Sequence, residues 1–159
     1  TKNTEGVVFV PAFVGLSSPY WKPDSKALIH GLTPAINKNQ IIRAALESIA
    51  FQIKDYLVDL EVKNKIKYNE IYIDGGIVSN TSFMQFLTNI LNKKIYVTNY
   101  QDMSSYGALM MGLLGMNIKK NFKEIKKLKQ KYFIYVPSKD IEANQSYENW
   151  KFVLKKFYL

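Results

Sequence analysis

The stretch IYIDGGIVSNTSFMQFLTNIL, residues 71–91, decides the fold. Its first residues are β-branched and aromatic, and with Glu70 they predict a strand over 70–74. The run ends in Asp74-Gly75-Gly76. After a short loop, Phe83, Phe86, Leu87, Ile90 and Leu91 recur at helical spacing and predict an amphipathic helix over about 81–91. Two glycines at a strand-to-helix crossing let a ligand approach bare backbone, and a helix start offers unpaired N–H groups to an anion. A tight turn needing positive φ explains the same glycines without any ligand, and a third glycine at dinucleotide-fold spacing is absent. Asn80 reads equally as a helix N-cap, and Asp74 as a turn-capping carboxylate.

Outward from this point the pattern alternates. Residues 7–10 predict a buried strand stopped by Pro11. Residues 11–26, with Pro11, Gly15, Pro19 and Pro23, predict an ordered loop anchored by Tyr20 and Trp21. Residues 27–32 predict a second strand. A helix over about 38–60 is expected to bury Ile42, Ala45, Leu46, Ile49, Ala50, Ile53, Leu57 and Leu60. Within it Arg43 and Glu47 sit one turn apart and can pair, as a surface bridge of little value. Lys94–Thr98 predicts a strand, and 103–116 a helix. The helix-interior glycines Gly107, Gly112 and Gly115 suggest close approach of another backbone or a ligand. Residues 119–131, lysine-rich with Phe122, Ile125 and Leu128, predict a surface helix. Residues 141–157 predict a last helix with Tyr147, Trp150, Val153, Leu154 and Phe157 inward. Strand and helix alternating after residue 69 favour an α/β fold with a mixed sheet.

Composition narrows the function. The 159 residues hold no cysteine and one histidine, His30, which excludes disulfides and thiolate sites and argues against a histidine-built metal site. His30 lies in an apolar strand and reads as structural. The net charge of +9 is almost all lysine, with Arg43 the only arginine. Lysines spread over many segments make a solvated surface rather than a nucleic-acid stripe, and base readout favours arginine. No apolar run is long enough to span a bilayer, so a cytoplasmic chain is expected. No nucleophile elbow, Walker loop or metal spacing is present. The serines at 17, 18, 79, 104 and 105 have no base near them in sequence. Residues alone lead to an α/β domain with a nucleotide-compatible turn and no visible catalytic group.

Several motifs in order carry a resemblance. PAFVGLSSPYWKP, LIHGLT, IIRAALESIAFQ, DGGIVSN followed by FMQFLTNIL, and YGALMMGL resemble the FGGY carbohydrate kinases over about residues 5–116. Pro19-Tyr20-Trp21 and Met84-Gln85-Phe86 resemble the branch that acts on glycerol rather than the pentulose branch. The resemblance implies an actin-like, ribonuclease-H-like lobe, incomplete here, spanning 1–159 with tail helices from about 119. It implies ATP as cosubstrate, with Gly76 and Asn80 as nucleotide contacts and Gly75 adjacent. Gly107 and Ala108 would lie in a helix behind the pocket. The polyol pocket, the catalytic aspartate, the Thr-Gly-Thr phosphate turn and most of the Mg2+ site would belong to a preceding part, so no catalytic or metal residue is assigned here. The implied partners are that first lobe, glycerol bound in it, and a second copy in a homodimer or tetramer, with no nucleic acid and no membrane span. The chain alone is expected to be inactive.

Departures from the family pattern are Ser17-Ser18 for Gly-Ala, Ser25-Lys26-Ala27 for Ala-Arg-Gly, and Leu87 for a common glutamine. Asn144 stands about where some bacterial members carry an acidic residue for a regulatory zinc. Two other readings remain at this point: another sugar kinase of the family, and a non-catalytic basic binding module.

Overall fold

A computed structural model describes residues 1–98, 102–128 and 131–159. Strands β1 (Val8–Val10) and β2 (Leu28–His30) pair antiparallel, Val8 opposite His30. A long helix α1 (Lys38–Asn64) follows. Then come β3 (Glu70–Ile73), a 3-10 turn (Gly76–Ser79), α2 (Thr81–Leu91) and β4 (Lys94–Thr98). The chain closes with α3 (Met103–Gly115), the short α4 (Phe122–Ile125), β5 (Tyr132–Tyr135) and α5 (Ile141–Tyr158). The second sheet has the order β3-β4-β5: β3 and β4 are parallel, β4 and β5 antiparallel. Among the described residues the mixed sheet is therefore three-stranded and separate from the β1–β2 ribbon.

Local chemistry sets the helix ends. Asn37 opens α1 with a capping box: its side chain accepts from the Asn39 N–H at 2.9 Å, and its own N–H donates to Gln40 Oε1 at 3.2 Å. Lys65 and Asn92 end α1 and α2 in the left-handed conformation. Asp140 caps α5 by accepting from the Ala143 N–H at 2.9 Å. The core lies where α1, α2 and α5 meet β1 and the inner face of the second sheet. Met84, Leu87, Ile90, Ile95, Val153 and Leu154 are buried there. Phe51 is its hub, with ring contacts to Phe86, Tyr147 and Trp150 at 5.9, 5.6 and 5.7 Å. Trp150 donates its indole N–H to the Phe9 carbonyl at 3.0 Å and so ties α5 to β1.

Three expectations from the sequence give way, the first only in part. In α1 Ala50 is buried and Leu46, Ile53 and Leu57 pack against the core as expected, but Ala44, Glu47, Ser48, Phe51 and Asp55 are buried as well, while Ile42 and Ile49 point outward. The buried side is set by what packs on it, and each buried polar group there is satisfied: Glu47 by Arg43, Ser48 by the Ala45 carbonyl, Asp55 by two phenols and a lysine. Trp21 does not anchor its loop; it is 70% exposed, and Tyr20 does the anchoring. Among the described residues of the lysine-rich tail the helix is the four-residue α4, with Ile125 buried and Phe122 exposed, and Tyr132–Tyr135 forms an unexpected strand. Gly107, Gly112 and Gly115 face open space: a Cβ at any of them would meet nothing within 4 Å, and α3 buries no residue. Of the two approaches expected at these glycines, the described residues bring no other backbone near them.

The buried Asp55 accepts from the hydroxyls of Tyr20 and Tyr147 and pairs with Lys151 Nζ at 3.0 Å. This joins the 11–26 loop, α1 and α5. Burial and then the Asp55 carboxylate hold both phenols far above the ordinary tyrosine range, so both remain donors. Asp55→Ala strands these donors and should cost about 1–3 kcal/mol. Urea unfolding followed by circular dichroism checks this, and an unchanged midpoint would contradict it.

Candidate functional site

The turn after β3 is built so that its outer side stays bare. Gly75 has φ +104, a conformation open to glycine and strained for other residues. Its carbonyl accepts from the Val78 N–H at 3.2 Å, which starts the 3-10 turn. The Gly76 carbonyl accepts from the Ser79 hydroxyl at 2.9 Å. A Cβ at Gly75 or Gly76 would meet nothing within 4 Å, so the space beside both residues is open to a ligand.

Asn80 joins this turn to α2. Its Oδ1 accepts from the Phe83 N–H at 3.0 Å, its backbone N–H donates to the Ile77 carbonyl at 3.0 Å, and its carbonyl accepts from the Met84 N–H at 3.0 Å. It is thus the N-cap of α2. Capping uses only the oxygen of the amide, and the Nδ2 group makes no hydrogen bond to the described residues. The N–H groups of Thr81 and Ser82, in the first helical turn, have no acceptor within the helix. Gly75, Gly76 and Asn80 therefore stand together on one turn, with donors and no negative charge among the three. Asp74 precedes them at the end of β3.

Beside Asn80 a cavity of about 120 Å3 opens between α1 and α2, lined by Arg43, Leu46, Glu47, Asn80, Ser82, Phe83 and Phe86. Leu46, Phe83 and Phe86 supply its apolar surface, and Arg43, Glu47, Asn80 and Ser82 its polar groups. Glu47 is buried, and burial raises its carboxyl above the ordinary range against the opposing pull of Arg43; Asp140 raises it further. Arg43 Nε meets Glu47 Oε1 at 2.7 Å, and the same guanidinium donates to the Thr1 carbonyl at 2.9 Å. The pair that spacing marked as a surface bridge is half buried and borders the candidate site. The i,i+4 spacing revealed the pair; only the packing of α2 against α1 reveals the cavity.

Other marked residues lie elsewhere. His30 packs its ring on Phe157 at 5.6 Å, a structural role. On the outer face of the second sheet Tyr72 stacks on Tyr96 at 4.9 Å, and Tyr96 donates to Glu70 at 2.7 Å. Among the described residues no group of three His, Cys, Asp or Glu side chains could hold a metal ion, and no helix is long and apolar enough to cross a membrane.

Comparison with known proteins gives this geometry a context. The model of the FGGY family of carbohydrate kinases, C-terminal domain, matches residues 1–116. The glycerol kinase of Klebsiella pneumoniae subsp. pneumoniae is 36% identical over 156 residues, covering 98% of this chain and 31% of that protein. The solved structure of Plasmodium falciparum glycerol kinase with ADP superposes with a TM-score of 0.86 at 32% identity, over 100% of this chain and 32% of that one. A xylulose kinase from Lactobacillus acidophilus shares the fold, with a TM-score of 0.79 at 22% identity over 96% of this chain and 31% of that one. The chain thus spans about a third of the length of the relatives it matches.

Two outcomes are expected at this site. Asn80→Ala removes the cap of α2 and should cost about 1 kcal/mol in urea unfolding; no loss would show that the cap is idle. The second concerns pH. A carboxyl raised by burial binds its proton more tightly in the folded than in the unfolded chain. Its burial is therefore least costly below the unfolded pKa, and the cost grows as pH rises through the folded pKa. Measured against Glu47→Gln, the parent chain should lose stability as pH rises above about 4, the ordinary glutamate value. A pH-independent difference in urea midpoints would contradict the assignment.

Proposed function

The chain belongs to the FGGY family of carbohydrate kinases, and from that premise we propose that it is the nucleotide-holding part of an ATP-dependent glycerol kinase. The observation that carries the nucleotide role is the bare Gly75-Gly76 turn running directly into Asn80, whose Nδ2 is left over from capping. In this reading the nucleotide lies along Gly76, where no side chain keeps it off the backbone. Asn80 donates to an acceptor on the nucleotide while its oxygen keeps α2 in place. The unpaired N–H groups at the start of α2 favour negative charge nearby.

The reaction is transfer of the γ-phosphoryl group of ATP to a terminal hydroxyl of glycerol, giving glycerol 3-phosphate and ADP. Such a transfer depends on positioning and on stabilising charge. This chain contributes positioning of the nucleotide. The polyol, the base that takes the hydroxyl proton and most ligands of Mg2+ are assigned to the part of the protein outside it. Glycerol as acceptor, rather than a pentulose, is supported by the 36% identity to a glycerol kinase and by Pro19-Tyr20-Trp21.

Two measurements test the reading. The whole polypeptide that carries this chain should phosphorylate glycerol in preference to pentuloses, and the 159-residue chain alone should not; a pentulose preference would overturn the acceptor. Asn80→Asp retains a capping oxygen but removes the Nδ2 donor. In the whole polypeptide it should weaken ATP binding roughly tenfold, the worth of one hydrogen bond of about 1.4 kcal/mol. Unchanged affinity would remove Asn80 from the nucleotide site.

A further inference from the structure

The loop between β1 and β2 combines two properties that do not ordinarily occur together. It is rigid, and it presents large apolar side chains to water. Leu16 and Lys22 exchange both backbone hydrogen bonds, at 2.9 and 2.8 Å. The N–H groups of Tyr20 and Trp21 both donate to the Ser17 carbonyl at 2.9 Å. Gly15, at φ +90, lies so close to Pro23 that a Cβ there would come within 2.4 Å of its carbonyl oxygen. Leu16 is buried beneath the loop, and Tyr20 is bolted to Asp55. On this frame Phe13 is 73% exposed, Val14 95% and Trp21 70%.

Trp21 also carries a backbone penalty. Its φ is +55, in the left-handed region. That conformation costs a bulky L-residue energy that glycine would not spend. A strained, outward-pointing tryptophan on a fixed loop leaves most of its surface in water. Tryptophan is among the side chains that dominate protein interfaces, and a loop already ordered loses little entropy when it docks.

We propose that the 12–23 loop is a preformed docking knob, with Phe13, Val14 and Trp21 as its contact residues, for the part of the same polypeptide that precedes this domain. The occupant follows from the comparisons. The matched family region is a C-terminal domain, and most of the length of the glycerol kinase relatives lies outside the match. A second copy fits less well. A two-fold contact through this loop would set Lys22, Asp24 and Lys26 of each copy, net positive, against those of the other, in a chain of net charge +9. The proposal rests on membership of the kinase family and not on which polyol is phosphorylated.

The test uses the whole polypeptide, with any cysteines outside this chain replaced by serine. Maleimide labelling of Val14→Cys is compared with that of Lys155→Cys, an exposed position on α5. Both variants are also labelled in urea to correct for intrinsic reactivity. Docking predicts that the corrected rate at Val14→Cys is at least about tenfold lower, at every protein concentration, because protection scales with the closed population. Equal rates would overturn the proposal, and protection lost on dilution would replace the intramolecular occupant with a second copy. Trp21→Gly gives an independent sign. If Trp21 is docked, this substitution lowers the urea midpoint of the whole polypeptide; if Trp21 is merely exposed, relief of the backbone strain leaves the midpoint unchanged or raises it. Neither readout needs catalysis, so a protein that fails to phosphorylate glycerol yet protects Val14→Cys would refute the acceptor and keep the knob.

Discussion

Asp55 is the charge about which the rest of the domain is arranged. It lies on the inward face of α1, where a carboxylate without partners would be costly to bury. The three groups that satisfy it come from two other segments: Tyr20 from the first loop, Tyr147 and Lys151 from α5. Lys151 also donates to the Tyr20 hydroxyl at 2.8 Å, so the cluster closes on itself. Lys54 rests over the Tyr147 ring at 3.9 Å, and burial lowers its pKa. The segments are far apart in sequence, and the apolar core that packs α5 against α1 and β1 holds them around the cluster. Burial of Phe51 and Trp150 therefore supplies the driving force, and Asp55 selects one arrangement of the three segments.

The local half of the fold was legible in the sequence. The bounds of β4 and the positions of α1, α2 and α5 follow from periodicity, and the Gly75-Gly76 crossing falls at the end of β3 as its glycines imply. The misreadings share one cause. In α1 the buried face is rotated from the expected stripe: Leu46, Ala50, Ile53 and Leu57 pack inward, but Asp55 is buried beside them with partners that no short window contains. The sequence Tyr132-Phe133-Ile134-Tyr135 carries strand-forming residues throughout, yet the helix expected over 119–131 stops just short of it and no element is expected there. Pairing with β4, Ile95 opposite Tyr135, is the long-range contact that makes it a strand. The exposed Trp21 was read as an anchor because an aromatic residue in a loop ordinarily packs inward.

The candidate site shows the same division. Gly75, Gly76 and Asn80 stand together because they are neighbours in the chain, and spacing alone suffices to find them. The cavity beside Asn80 needs α1, some forty residues earlier, and no motif announces it. The cap and the ligand role of Asn80 were posed as alternatives, yet they use different atoms of one amide. A residue that stabilises its helix with the oxygen has the nitrogen left for something else.

The strand order β3-β4-β5 places Glu70–Ile73 at a margin of the sheet, with one row of main-chain N–H and C=O groups unmatched among the described residues. Parallel strands ordinarily lie inside a sheet with both faces covered. Here Tyr72 is more than half exposed, and no proline or bulge blunts the strand. Such a margin is a template on which any extended segment can continue the ladder. For this domain produced on its own, that strand is where another chain is expected to add on first, whatever the charge of the surface around it.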